Sequence, residues 1–289
     1  MTTPASAPFQ PPQQQPPLPH QAPSYVSPIP VTDAHLGHAV ASEWTKIRSV
    51  RSTMWTLGVL IVLIFGIGLL STVAVRSSGS TMNGTPVLSM GFFGVLLGSM
   101  CVITLGVLTV ASEYGTGMIR TTLTACPSRA RVLTAKAIVF FLLTFVILLV
   151  TTALVAMFQY AVLKGTGART PDGAEWIRAT VGVSLYVALL GLLALAVGSL
   201  IRHSAGAITI MLGVLLLPLV LALFMFARSL SGLREKLFEY SIPNQLSAFY
   251  STSVSSGTGP SGWDPLWILL GVTAVVFGGA VAALSSRDV

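Results

Sequence analysis

The feature that most constrains this chain is a series of six long apolar runs. They are residues 54–75, 87–111, 137–162, 179–200, 205–227 and 266–284, and none contains a charged residue or a histidine. A helix needs about 20 apolar residues to cross the hydrocarbon core of a bilayer. Within the bilayer the backbone has to satisfy its own hydrogen bonds, as a helix does. The runs therefore predict an all-α integral membrane protein with six transmembrane helices over residues 54–289.

Charged residues are scarce, and no motif for catalysis or nucleotide binding is present. Only 9% of the residues are charged, against about 25% in soluble domains. The net charge of +7 comes mostly from basic residues at the ends of the runs, which indicates membrane topology and anionic lipid rather than nucleic acid. No GxxxxGKS, GxxxxGKT, HExxH or GxSxG sequence occurs, and GTGPSG at residues 257–262 matches GxGxxG only within a stretch rich in serine, glycine and proline. We therefore expect a chain that is not an enzyme and that binds no cofactor or metal itself.

The basic residues between the runs favour one orientation. With both termini inside, the inner segments hold nine lysines and arginines and the outer segments hold seven. Lys46, Arg48 and Arg51 precede the first run closely, and Arg76 follows it. Because cytoplasmic segments carry the excess of basic residues, we predict a multi-pass protein of the plasma membrane with cytoplasmic termini. The absence of ionisable residues within the runs weighs against an ion-coupled carrier.

Two segments precede the first run. Residues 1–33 are rich in proline and glutamine, and ten of the chain's 17 prolines fall within residues 1–30, which predicts a disordered cytoplasmic tail. Residues 34–53 place apolar side chains at a spacing of three and four, which predicts an amphipathic helix in the cytoplasmic interface. A helix packed against the loops is the alternative, and we expect a bend or an end near Arg51. The side chains singled out for the interfacial helix are Trp44, Lys46, Ile47 and Arg48.

Two further patterns concern packing and the outer side. Gly94 and Gly98 form a GxxxG pair, and a small residue recurs every seventh position at Ser184, Gly191 and Gly198. Such faces permit close helix–helix approach, either within the chain or between two copies. Residues 228–265 form a long outer segment in which short apolar pieces near Leu233 and Leu246 are too short to span the membrane. They predict helices that lie in the outer interface or cover a cavity.

The segment between the second and third runs is the most basic part of the middle of the chain. It reads SEYGTGMIRTTLTACPSRARVLTAK, residues 112–136. Glycines follow the end of the second span, and MIRTTLTAC is long enough for about two helical turns. The residues alone predict a short cytoplasmic helix or a basic loop that prefers anionic lipid, with Lys136 at the lipid surface.

Two stretches carry a resemblance to a known family. SEWTKIRSVRSTMWTL, residues 42–57, and SEYGTGMIRTTLTACPSRARVLTAKA, residues 112–137, resemble the permease subunits of ABC transporters of the ABC-2 exporter type, especially those of actinobacteria. The six-run layout, the amphipathic start and the long outer segment also match. The likeness covers residues 34–289.

The resemblance implies a membrane-spanning exporter subunit that moves an amphipathic or hydrophobic substrate with ATP hydrolysed by a separate subunit. It implies a second permease copy or a paralogue as partner, with ATP and Mg on the ATPase. The helix after the second span would be the coupling helix, and residues 34–51 would be the connecting helix. The coupling residues implied are Glu113, Met118, Ile119, Arg120, Leu123, Arg129 and Arg131. The alternative reading is an uncoupled channel or carrier, or a membrane-protein assembly factor.

Overall fold

A computed structural model describes residues 35–79, 84–125, 128–251 and 259–286. The tail predicted for residues 1–33 lies outside these residues. Within them the structure is helical throughout, with no strand and a single isolated bridge between Pro86 and Arg169. The predicted all-α membrane fold is confirmed.

Six helical segments are long and apolar enough to cross a membrane, as the six runs predict. They are Arg51–Ser77 (α2), Val87–Thr116, Arg129–Leu163 (α5), Gly173–Ile201, Ser204–Phe224 (α8) and Asp264–Ser286 (α11). The second consists of a 3₁₀ turn, Val87–Gly91, followed by α3, Phe92–Thr116. The fourth consists of α6, Gly173–Ile177, a π-helical turn, Arg178–Gly182, and α7, Val183–Ile201.

Most of these helices extend beyond the apolar runs because helical hydrogen bonding continues past the first charged residue. The second span, expected to end at Ala111, continues to Thr116 and so includes Glu113. The third begins at Arg129 and so includes Lys136. The fifth is the exception, since α8 ends at Phe224, three residues before the apolar run does.

The segment that contains α7 forms the centre of the bundle. Of its most apolar window, 78% is buried, against 22% for α2, α8 and α11. It contacts α3, α5, α8 and α11. The helices at the periphery of the bundle leave large apolar side chains exposed, such as Val62 of α2 and Val275 of α11. Such exposed apolar side chains suit contact with lipid. The structure is thus a bundle arranged around α7.

The small residues lie at helix contacts within the chain. Gly94 and Gly98 face Ile64 of α2. Gly191 and Gly198 face Val102 and Val107 of α3, respectively. The Oγ atom of Ser184 lies 3.3 Å from Oγ1 of Thr152 on α5. These faces are therefore used for packing inside one chain.

One close approach was not predicted from the sequence. A Cβ built at Gly106 of α3 would overlap the carbonyl oxygen of Gly191, and one built at Gly191 would lie 2.6 Å from Cγ1 of Val102. Neither position leaves space for a side chain. The pair lets the backbones of α3 and α7 touch, which larger residues would prevent.

Shorter helices lie at the two ends of the bundle. Before the first span comes α1, Leu36–Ser49, and Val50 is extended (φ −83°, ψ 111°) before α2 begins at Arg51, where an end was predicted. Between α3 and α5 lies α4, Met118–Ala125. After α8 come α9, Ser231–Glu239, and α10, Ile242–Ala248, at the two places predicted for short outer helices.

Candidate functional site

The turn from α3 into α4 is sharp and depends on one glycine. Gly117 has φ 73° and donates its backbone N–H to the carbonyl of Tyr114 at 3.3 Å. A left-handed residue of this kind ends a helix at no steric cost only when it lacks a side chain. Arg202 lies over the ring of Tyr114, 5.1 Å from its centroid. The end of α3 is thus attached to the connection between α7 and α8, where the imidazole of His203 caps α8.

Four charged side chains from three helices meet beside this turn, and we call them the charge cluster. They are Glu43 and Lys46 of α1, Glu113 of α3 and Lys136 of α5. The Nζ atom of Lys136 lies 2.8 Å from Oε2 of Glu43 and 2.7 Å from Oε1 of Glu113. The Nζ atom of Lys46 lies 3.0 Å from Oε1 of Glu43 and 2.6 Å from Oε1 of Glu113.

The charge cluster is electrically balanced and mostly buried. The side chain of Lys136 is 2% exposed, and those of Glu43 and Glu113 are 5% and 6% exposed. Two positive and two negative charges cancel, which makes burial tolerable, because buried charges have to be paired. Removing one member would leave an uncompensated buried charge, at a cost of about 3–5 kcal/mol. The cluster therefore specifies how α1, α3 and α5 sit against one another.

Lys46 is the member of the charge cluster that reaches solvent, with 27% of its side chain exposed. Burial lowers the pKa of its ammonium group, but the hydrogen bond to Glu113 and the charges of Glu43 and Glu113 outweigh that effect. The pKa of Lys46 therefore lies above its ordinary value of 10.5. The group stays charged at every physiological pH.

One carboxylate oxygen of the charge cluster accepts no hydrogen bond from the described residues. Oε2 of Glu113 is buried and has no hydrogen-bond partner among the described residues. Its partner oxygen, Oε1, accepts from both lysines. Glu113 is thus bonded on one side only.

Two cavities flank the charge cluster, and Glu43 and Lys46 line both. The first, of about 300 Å³, lies between α1, α2 and α3 and is mainly apolar, with Ile47 and Leu108 in its wall. The second, of about 350 Å³, lies between α1, α4 and the start of α5. Exposed residues of α1, of its N-cap and of α4 border the second cavity, and we call them the α1–α4 face: His35, His38, Ser42, Met118 and Thr121.

The residues expected on the coupling helix divide between surface and interior. Met118 is exposed, whereas Ile119 and Glu113 are buried. Arg120 and Leu123 lie on α4, but their side chains fall outside the described part of the structure. Glu113 and Ile119 are thus covered by other residues of their own chain, and the docking role that the resemblance implies for them stays a prediction.

The basic residues at the start of α5 are also engaged within the chain. Nη1 of Arg129 donates to the carbonyl of Leu284 at 3.0 Å, which joins α5 to α11. Arg131 is half-buried. Lys136, expected at the lipid surface, lies in the charge cluster instead, and the reason is the pair of carboxylates that α1 and α3 bring to it.

The residues of the expected interfacial helix also fall on different sides of α1. Trp44 and Arg48 are exposed, Ile47 is buried and Lys46 is paired. The buried face of α1 contains Glu43 and Ile47. The spacing of apolar residues in the sequence predicts that Trp44 lies on the buried face of α1. The structure buries the preceding residue, Glu43, on that face instead.

Glu43 was not among the residues predicted from the sequence, and the pairing of Lys136 with carboxylates was not predicted either. A signal was available, since Glu113 and Lys136 stand at facing ends of consecutive spans, and Glu43 precedes Lys46 by three residues on one helix. Opposite charges at matching depth predict a pair. His35 and His38, whose ring centroids are 5.6 Å apart, form no group of three candidate metal ligands with any other described residue.

A scan against models of protein families finds none that matches this chain, and a search of curated proteins finds no significant match.

Proposed function

We propose that this chain is the membrane-spanning subunit of an ATP-driven exporter of the ABC-2 type, and that a separate ATP-binding subunit docks on the α1–α4 face. The observation that carries the proposal is the charge cluster beneath that face. It ties α1 to two membrane-spanning helices, α3 and α5, through short ion pairs, and α3 leads into α4 through Gly117.

Such an arrangement suits the transfer of force. A partner that pulls or pushes on α4 acts on Gly117 and then on the last turn of α3, which carries Glu113. Because Lys136 bridges Glu113 and Glu43, displacement of α3 relative to α1 or α5 would break short contacts in a buried setting. The favourable response is for the three helices to move together. The resemblance of residues 42–57 and 112–137 to ABC-2 permeases supplies the kind of partner.

The proposal places the α1–α4 face in the cytoplasm, where ATP is available. Basic residues near this end of the bundle include Arg48, Arg51, Arg129 and Arg131, which agrees with the excess expected on the inner side. Labelling of single cysteines at Ser42 and at Ser261 with an impermeant maleimide tests it. Ser261 should react in intact cells, and Ser42 only after the cells are broken.

A second permease, either another copy or a paralogue, completes the proposed exporter. The exposed apolar faces of α2, α8 and α11 provide surface for such a partner as well as for lipid. The substrate path would then lie between the two permeases. Native gels of the complex should show two permease chains for each pair of ATPase subunits.

The docking experiment uses a photo-crosslinking amino acid, p-benzoylphenylalanine, in place of Thr121 on α4. The control carries it in place of Val275, which is 76% exposed on α11. We expect the Thr121 variant to crosslink in native membranes to a protein with a GxxxxGKS or GxxxxGKT phosphate loop, identified by mass spectrometry, and the control to give no such product. Transport that persists after deletion of every such partner would show an uncoupled channel or carrier instead.

The role of the charge cluster in coupling is tested separately with Glu113→Gln in the reconstituted complex. This change keeps the shape of the side chain and removes its charge. We expect the ATPase to remain bound but its turnover in proteoliposomes to fall several-fold. Glu175→Gln is the matched control, since Glu175 is a buried carboxylate paired with Arg169 in another part of the chain. Equal effects of the two changes would refute the coupling role.

A further inference from the structure

A third cavity lies at the end of the bundle opposite α4. It has a volume of about 350 Å³ and is bounded by the 3₁₀ turn before α3, the first turn of α3, the last part of α8, and α9 and α10. Phe92 and Phe93 lie at the beginning of α3. This helix is 25 residues long, and Glu113 lies near its other end. With Leu219 and Phe238 they give the cavity an apolar, aromatic wall.

One polar atom in the lining of this cavity is unsatisfied. Asn244 is 7% exposed, and its Oδ1 atom has no hydrogen-bond partner among the described residues. The other end of the amide is fixed, because Nδ2 donates to the carbonyl of Glu239 at 3.2 Å. A flipped amide would set Oδ1 against that carbonyl oxygen, so the orientation is determined by the bond. A buried acceptor left unpaired is costly, and a ligand with a donor would remove the cost.

The remaining polar side chains in the lining have already used their hydroxyl protons. Ser89 donates to the carbonyl of Pro86 at 2.7 Å, and Ser247 donates to the carbonyl of Asn244 at 2.7 Å. These two hydroxyl groups therefore offer no proton to a ligand, and Oδ1 of Asn244 is the unpaired acceptor among the described lining atoms. None of the described residues that line the cavity is charged, so a fully charged group would lose its hydration without a counter-charge there.

From these observations we infer that the cavity binds an uncharged amphiphile, whose hydroxyl or amide group donates a hydrogen bond to Oδ1 of Asn244 and whose apolar part lies against Phe92, Phe93 and Phe238. A single water molecule would satisfy Asn244, but it would leave most of the apolar volume empty. The inference does not depend on the ATPase, because the cavity and the α1–α4 face share no residue.

Two sources could supply this chemistry, a membrane lipid with a free hydroxyl group and a solute from the aqueous phase. The experiment uses two photoactivatable diazirine probes on the full chain in nanodiscs. One is a diacylglycerol placed in the bilayer, and the other is an octanol analogue added from water. For each probe an acetylated form, which has no donor, is the chemical control.

We expect at least one of the two alcohols to label peptides that contain Phe92, Phe93 or Phe238, and its acetylated form to label them about five-fold less, the loss expected for one neutral hydrogen bond. Labelling by the diacylglycerol alone would identify a lipid site, and labelling by the octanol analogue alone would identify a solute site. Equal labelling by the alcohols and the acetates would overturn the inference.

A matched pair of variants separates binding from folding. Asn244→Leu removes the unpaired acceptor and should reduce labelling by the alcohol to the level of the acetate. Gln245→Leu changes the neighbouring buried amide, which contacts Tyr186 and Tyr240 rather than the cavity, and should leave the preference for the alcohol intact. If Asn244→Leu does not fold, Leu219→Trp fills the cavity from α8 and should abolish labelling by either alcohol. Labelling that survives Leu219→Trp would show that the probe binds elsewhere.

Discussion

The bundle carries a short helix near each end, and the two are held in opposite ways. α4 has eight residues and α10 has seven. Every residue of α10 is buried, and its side chains bond to other parts of the chain. Of α4, Met118 and Thr121 are exposed, and among its described side chains only Ile119 is buried. α10 is therefore part of the interior, whereas α4 is positioned mainly by the helices on either side of it.

This difference shows how a membrane protein can expose a binding surface on a short helix without weakening the packing of its interior. The rigidity beneath α4 comes from Glu113 and Lys136, which belong to α3 and α5. A partner can hold the exposed side of α4 without replacing any contact inside the bundle. At the other end α10 has no such freedom, since a change there alters the packing of α3, α8 and α11. Four predictions test this contrast, from the largest expected effect to the smallest.

The largest effect is expected from Lys136→Met. Methionine fills a similar volume but leaves the buried carboxylates of Glu43 and Glu113 with Lys46 as their remaining partner in the charge cluster. We expect the free energy of unfolding to fall by about 3–5 kcal/mol, as measured by titration with sodium dodecyl sulfate in dodecyl maltoside micelles. Arg48→Met, which removes an exposed charge from α1, is the control and should change it little. Equal stability of the two variants would contradict the account of the charge cluster.

The next test compares the two short helices directly. Leu246→Ala in α10 removes a side chain that is 1% exposed and should cost about 2–5 kcal/mol. Thr121→Ala on the exposed side of α4 should stay within about 0.5 kcal/mol. The same denaturant titration measures both. A larger loss for Thr121→Ala than for Leu246→Ala would reverse the contrast between the two helices.

A smaller effect is expected from the bond that joins α10 to α7. The hydroxyl of Tyr186, a buried residue, donates to Oε1 of Gln245 at 3.3 Å. Tyr186→Phe removes the donor and should cost about 0.5–1.5 kcal/mol. Tyr240→Phe alters a residue that is 49% exposed and serves as the comparison. No difference between the two would mean that the Tyr186 bond contributes nothing measurable.

The smallest effect is the change with pH in the stability that Lys46 contributes. The pKa of Lys46 is raised on folding, so the stability that its ion pairs contribute is fully present below its ordinary value of 10.5 and is lost as the pH rises through the folded value. The difference in melting temperature between the native chain and Lys46→Met should therefore be constant from about pH 7 to 9 and shrink above the ordinary lysine value. Thermal melts across this range measure it. A difference that shrinks already between pH 7 and 9 would show that the pKa is lowered instead.

The fold could be predicted from the sequence to a large extent, and the charge cluster could not. The six spans can be predicted from the length of the apolar runs and from the absence of charged residues within them. The short helices can be predicted from the polar residues that flank them. Both kinds of signal are local in the sequence. The burial of Lys136 is not local. Its partner Glu43 lies 93 residues away, and a lysine next to an apolar run is assigned to the lipid surface when no partner is known. The contact between Gly106 and Gly191 was not predicted for the same reason, since it depends on which faces of α3 and α7 meet.

The charge cluster also imposes an order on how this protein is made. Glu43 and Lys46 are synthesised 67 and more residues ahead of the partners that bury them, Glu113 and Lys136. While α2 and α3 are inserted into the membrane, α1 has only its own pair, Glu43 with Lys46, three residues apart. α1 can reach its final position only after the ribosome has added the beginning of α5. α1, the first helix that the structure describes, can thus dock only after two spans have been made and the third has begun.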